Sequence, residues 1–209
     1  MSLKKILGGV YLVIDPSTDQ AQLFSKLQQV LEQKISAVQI WDHWINPSDK
    51  DVIIKKIIDL CHLHLIPVLI NNDWALLNEL NLDGVHFDEI PNNVEEIKKK
   101  IGREFISGIT CNNDLSVVEW ATQHKLDYVS FCSVFPSSTS NSCDLVSFET
   151  IRRAREITSL PIFLAGGISP DNMEKLRELD FDGVAVISGI MNQDDPAQAT
   201  KKYLTELNY

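Results

Sequence analysis

The 209-residue chain contains no run of the roughly 20 apolar residues that a membrane-spanning helix needs, so no membrane partner is expected. Positive charge is scarce: 19 Lys and Arg stand against 29 Asp and Glu, for a formal net charge of −10. Without a basic run the sequence lacks the electrostatic footprint of a nucleic-acid binder. Cysteine is scarce too, with four residues at 61, 111, 132 and 143 and no CxxC pair. The opening MSLKKILGGVYLVID has lysines before an apolar run but no small-residue cleavage site, so it reads as a first strand. Reduced thiols and a cytoplasmic location follow as expectations. Cys61 and Cys132 read as buried and inert, whereas Cys111 and Cys143 fall in loops. No GxGxxG turn follows the first strand, which counts against an open doubly wound sheet.

What is present is a regular alternation. Apolar residues make up 44% of the chain, enough for one large core over residues 1–209 as a single domain. Short β-branched runs at 10–14, 37–41, 67–71, 84–87, 105–110, 128–132, 162–165 and 184–187 read as eight strands. They lack strict polar alternation, which suits parallel strands covered on both faces. Stretches of helical period follow each one, at 20–33, 51–64, 75–80, 94–100, 115–124, 148–158, 173–178 and 197–207. Ser48, Asn113, Ser147 and Ser169 are the expected caps. Eight strand–helix units without a composition break predict an α/β fold, a single (β/α)8 barrel.

Such barrels place their chemistry in the loops after the strands. After the seventh strand stands Gly166-Gly167-Ile168-Ser169, and after the eighth Ile187-Ser188-Gly189. Glycines admit close approach of an anion, and N–H groups at a helix start bind phosphate, so these paired turns read as a phosphate site. Glycines that serve tight turns only are the alternative. The longest loop, 133–147, is rich in hydroxyls and reads as a lid or binding loop, or else as a Ser-rich surface loop. Asp73 is a possible Mg2+ ligand or a helix cap. Gln39 points into the barrel mouth or core, and Trp41, His43 and Trp44 follow it. An aromatic ring there could stack on a flat heterocycle or simply pack. The eight loops contain neither Lys nor Arg, although phosphoryl-group chemistry normally clamps developing charge with cations.

These residues resemble the thiamine-phosphate synthase family, including its thiazole tautomerase branch, TenI. The resemblance rests on Val10-Tyr11-Leu12-Val13-Ile14-Asp15, Val38-Gln39-Ile40, Ile70-Asn71-Asn72-Asp73, Asp83-Gly84-Val85-His86, and above all on matches between 127 and 188, among them Val134-Phe135-Pro136-Ser137-Ser138-Thr139. It implies a cytoplasmic transferase of thiamine biosynthesis that joins hydroxymethylpyrimidine pyrophosphate to thiazole phosphate, releasing pyrophosphate, with Mg2+. Gly166, Gly167, Ile187 and Ser188 would hold the phosphate of a small phosphorylated heterocycle. Gln39, Asn72, Asp73, Thr110, Ser137 and Thr139 would face the pyrimidine, the pyrophosphate or the metal. A homodimer is a further possible assembly.

The chain departs from the family pattern at specific places. The family's QLREK after the second strand is here Gln39-Ile40-Trp41-Asp42-His43, its GQDD is Asp88-Glu89-Ile90-Pro91, and its lysine after the second threonine is Ser140. The tautomerase histidine is Asn112. The expectation is therefore phosphate binding with inefficient condensation, Asp73 and His43 being the catalytic candidates. The alternatives are a regulatory binder of a phosphorylated ligand, or an isomerase of another small phosphorylated substrate using Asp15, His43 or Asp73 as acid and base.

Overall fold

The computed structural model describes residues 5–136 and 144–207. Eight parallel strands close into a barrel in chain order: β1 Gly9–Ile14, β2 Ala37–Ile40, β3 Val68–Asn71, β4 Gly84–Phe87, β5 Ile106–Thr110, β6 Tyr128–Phe131, β7 Ile162–Ala165 and β8 Gly183–Val186, with β8 pairing back onto β1. The helices are α1 Gln20–Leu31, α2 Lys50–Leu63, α3 Leu76–Leu80, α4 Val94–Ile101, α5 Leu115–Gln123, α6 Phe148–Ile157, α7 Ser188–Met191 and α8 Pro196–Glu206. The (β/α)8 expectation is borne out.

The strands lack polar alternation because both of their faces are buried. Val10, Leu12 and Ile14 of β1 lie in the layer under the helices, while Tyr11 and Val13 enter the barrel interior. Inside, large rings meet small residues: Tyr11, Tyr128 and Phe163 pack at centroid distances of 5.5–5.7 Å. A Cβ at Gly108 would collide with the Tyr128 ring, so that glycine makes the space the tyrosine fills. Among the described residues, no helix is long and apolar enough to cross a membrane.

Three acids before even-numbered strands close the bottom face. Asp83, Asp127 and Asp182 each accept the backbone N–H of the preceding strand's opening segment, from Val68, Ser107 and Ile162, all at 2.8 Å. The Asp-Gly-Val and Asp-Tyr-Val motifs are thus struts between neighbouring strands, far from the face where the loops gather.

Several local expectations are corrected. The helix expected at 173–178 is a 3-10 helix, Pro170–Leu176, opened by a capping box between Ser169 and Asn172. The turn after β8 contains a short helix of its own, α7. Ser147 caps α6 as expected. Asp114 replaces Asn113 as the cap of α5, because Asn113 is drawn away: its Oδ1 accepts from Ser147 N and its Nδ2 donates to the Leu145 carbonyl. Asn46 caps the first turn before α2 in place of Ser48.

Candidate functional site

At the C-terminal end of the barrel, the turn after β7 is held in a conformation that only glycine takes readily. Gly166 and Gly167 have φ of +85° and +65°. Each also lies against the loop after β6: a Cβ at Gly166 would collide with Ser133, and one at Gly167 would sit 2.5 Å from the Pro136 carbonyl. The two loops are laced together by Val134 N to Ala165 O at 2.8 Å and Phe135 N to Gly166 O at 3.0 Å. Beside them, α7 starts at Ser188, so its first-turn N–H groups point away from the helix body.

A residue of α8 braces both turns. The Tyr203 hydroxyl donates to the Ile168 carbonyl at 2.8 Å and lies against Gly189, where a Cβ would collide with it. Tyr203 is fully buried, which raises its hydroxyl pKa to about 12, so it stays a donor. Asn172 adds a bond to the Gly167 carbonyl at 2.9 Å. Tyr203→Phe leaves a buried carbonyl without its donor, at a cost of about 1–3 kcal/mol. The melting temperature of this variant should fall by roughly 2–12 °C, at 2–4 °C per kcal/mol for a chain of this size. An unchanged melting temperature would show that the clamp carries nothing.

The opposite rim, after β1 to β4, differs from the sequence reading in one respect. Lys50, the first residue of α2, reaches across to Asp73, with Nζ 2.7 Å from Oδ2 and the ammonium 5.6 Å from the Trp44 ring. The rim therefore has a cation, supplied from a helix start beyond the loop. After β1 and β2, Asp15 Oδ2 lies 3.0 Å from His43 Nδ1, with Ser17 Oγ 3.3 Å from the same nitrogen. The Trp41 ring packs 5.1 Å from His43 and against the interior cluster, so it caps the barrel interior.

The carboxylates on this rim are engaged by protein partners. Asp73 is paired with Lys50, and Asp88 Oδ2 takes amide donors from both Asn71 and Asn72 at 3.0 and 2.8 Å. Among the described residues no group of three His, Cys, Asp or Glu is placed to hold a metal. Mg2+ at phosphate-handling sites is usually held by one or two carboxylates together with waters and substrate phosphates.

Gln39 is buried inside the barrel, bonded to Tyr11 and Asn71, and Thr110 is half-buried at the end of β5, bonded to His86. Gln39, Asn72 and Thr110 thus belong to one connected network, while Gly166, Gly167, Ile187 and Ser188 form the separate double turn. Ser137 and Thr139 lie outside the described residues, as does Cys143. Cys111 is buried, and burial pushes its thiol up to about 12, which leaves it inert. Cys132 is only half-buried, against the expectation of full burial. Lys50, Tyr203, Tyr11 and Tyr128 were missed by sequence reasoning. The tyrosines give no signal beyond an apolar strand or helix position, and Lys50 stands one residue past the loop.

A protein-family model described as thiamine monophosphate synthase matches residues 10–190. A thiamine-phosphate synthase of Nitrosococcus oceani is 35% identical over 144 residues, covering 69% of this chain and 66% of that one. One of Clostridioides difficile (strain 630) is 30% identical over 209 residues, covering 99% and 98% of the two chains. The solved thiamine phosphate pyrophosphorylase of Pyrococcus furiosus matches with a TM-score of 0.83 at 21% identity, covering 99% and 98%. That likeness concerns the fold.

Proposed function

Since the chain belongs to the thiamine monophosphate synthase family, we propose that it binds a small phosphorylated heterocycle of the thiazole-phosphate type and condenses it with hydroxymethylpyrimidine pyrophosphate only slowly. The phosphate sits on the turns after β7 and β8, against Gly166, Gly167, Ile187 and Ser188. Gln39, Asn72 and Thr110 face the heterocyclic end. The carrying observation is the contrast between the two halves of the mouth. One half is a braced double turn with a helix start, which can hold a phosphate monoester through backbone N–H groups alone. The other half has Lys50, already paired with Asp73, and has Trp41 and His43 where the resemblance places Arg and Lys.

Cations on a leaving pyrophosphate contribute about 2–4 kcal/mol each to a transition state. Two such losses predict turnover at least about a thousandfold below that of a relative with both cations. The test is thiamine phosphate formation by the purified chain with both substrates and Mg2+, beside such a relative, together with thermal-shift measurement of thiazole phosphate binding. Stabilisation by thiazole phosphate with turnover below that limit is the expected result. Turnover within about a thousandfold of the control would show that Lys50 and His43 replace the missing cations, and would overturn the slow-condensation half.

A second reading draws on the Asp15–His43 pair. A carboxylate on Nδ1 directs Nε2 to act as acid or base, the arrangement an isomerase of a small phosphorylated substrate would use. The same preparation separates the readings: solvent deuterium entering a phosphorylated substrate favours the isomerase.

A further inference from the structure

A continuous hydrogen-bonded chain crosses the barrel interior from the loop after β4 to the end of β5. We infer that the ionised carboxylate of Asp88 sets the direction of every bond in it, so that the Thr110 hydroxyl is committed inward and can meet a ligand only as an acceptor. Asp88 is thus a positioning residue, acting through Asn71 on groups it does not touch. The inference rests on the barrel mouth being the ligand site, as proposed above, and deepens that reading by defining what chemistry Thr110 recognises.

The direction follows from counting protons. An ionised carboxylate only accepts. Asp88 Oδ2 therefore faces the Nδ2 groups of Asn71 and Asn72, at 3.0 and 2.8 Å, and the Asp88 N–H returns to Asn72 Oδ1 at 2.9 Å, pinning the acid in place. With its nitrogen turned to Asp88, Asn71 presents its oxygen to Gln39 Nε2 at 3.1 Å. Gln39 in turn presents Oε1, which takes the one proton of the Tyr11 hydroxyl at 2.7 Å. Tyr11 then has only lone pairs left for Tyr128, whose proton it accepts across 2.8 Å. The Tyr128 oxygen must therefore accept from His86 Nδ1, at 2.9 Å.

His86 is 5% exposed, and burial lowers its pKa to about 4, so at neutral pH it carries one ring proton, and that proton is on Nδ1. Its Nε2 lone pair then takes the Thr110 Oγ1 proton across 2.9 Å. Each group has a single option once the group before it is set. The end result is a threonine offering its oxygen lone pairs and its methyl group. A ligand N–H or O–H satisfies it, whereas a phosphate oxygen or carbonyl placed there would face a lone pair without a proton between them.

Without the acid the order loses its anchor. Each amide can turn over, each phenol can donate the other way, and His86 can carry its proton on Nε2, freeing the Thr110 proton to point outward. The test is the tautomer of His86 in the ligand-free protein, read from the ring 15N shifts of 15N-histidine-labelled protein between pH 6.5 and 8. The spectrum of His86→Gln assigns the signal among the five histidines. The expected result is Nδ1 in the protonated range and Nε2 in the unprotonated range, the minor form of free neutral histidine. Asp88→Ala should move both signals toward the other tautomer. An Nε2–H tautomer or an imidazolium in the wild-type protein overturns the inference, and this measurement stands even if Asp88→Ala does not fold. A pure Nδ1–H form that persists in Asp88→Ala overturns it as well. No ligand is present in either measurement, so failure here leaves the phosphate-binding reading untouched, and failure of that reading leaves the tautomer result intact.

Discussion

Gly167→Val is expected to cost the fold about 2–5 kcal/mol and to lower its melting temperature by roughly 10 °C. Two separate effects add. The backbone at Gly167 is left-handed, at φ +65°, where an L-residue loses about 1–2 kcal/mol. The new side chain would also enter the loop after β6, with its Cβ 2.5 Å from the Pro136 carbonyl and 2.7 Å from that of Phe135. Backbone cannot turn aside as a flexible side chain does, so this overlap adds about 1–3 kcal/mol. Gly102 separates the two. It has nearly the same φ, +67°, but the nearest atom to a Cβ there is the Lys99 carbonyl oxygen at 3.8 Å. Gly102→Val should therefore show the backbone cost alone. The measurement is thermal unfolding of both variants with and without thiazole phosphate. If Gly167→Val unfolds no earlier than Gly102→Val, the loop after β6 does not press on this turn. Loss of ligand stabilisation in Gly167→Val only would tie that turn to binding.

Acid should weaken the protein through one buried histidine. Burial lowers the pKa of His86 from about 6.5 to about 4, against a smaller opposing effect of the nearby Asp88 charge. The folded state thus prefers the neutral ring more strongly than the unfolded chain does. Below pH 6.5 the unfolded chain binds the proton first, so stability that is fully present above pH 6.5 is lost as the pH falls toward 4. At about 1.4 kcal/mol per pH unit, this group alone accounts for a loss of about 2–3 kcal/mol. Urea unfolding at pH 7, 5.5 and 4.5 reads it directly. Carboxylates also titrate at the low end, so the comparison is with His86→Gln. That variant starts less stable, having lost bonds to Tyr128 and Thr110, but should have the shallower pH slope. Equal slopes in the two proteins would rule out His86 as the acid-sensitive group.

The strand–helix alternation was legible because it depends on residues a few places apart. Strands buried on both faces must be apolar throughout, and helices laid over them must carry one apolar stripe. The glycine turn after β7 was legible for the same reason: local backbone conformation restricts which residue fits. What the sequence hid depends on closure of the barrel. Lys50 and Asp73 are 23 residues apart and meet only because α2 starts above β3. Tyr203 and Ile168 are 35 apart, and Tyr11 and Tyr128 are 117 apart. None of these partners has a periodic or spacing signal. The 3-10 helix at Pro170 was half visible, since its serine cap was read correctly while its extent was set by the bonds of Asn172 to Ser169 and Gly167.

By itself, then, the sequence determined the barrel, the end at which its loops gather and the glycines at its phosphate-like turns, since each follows from short-range sterics and burial. Only the tertiary structure decided how those turns are braced, which cation reaches the rim and which way the protons of the interior point. Those depend on side chains from distant strands arriving within hydrogen-bond reach of one another, and a linear pattern does not contain that distance.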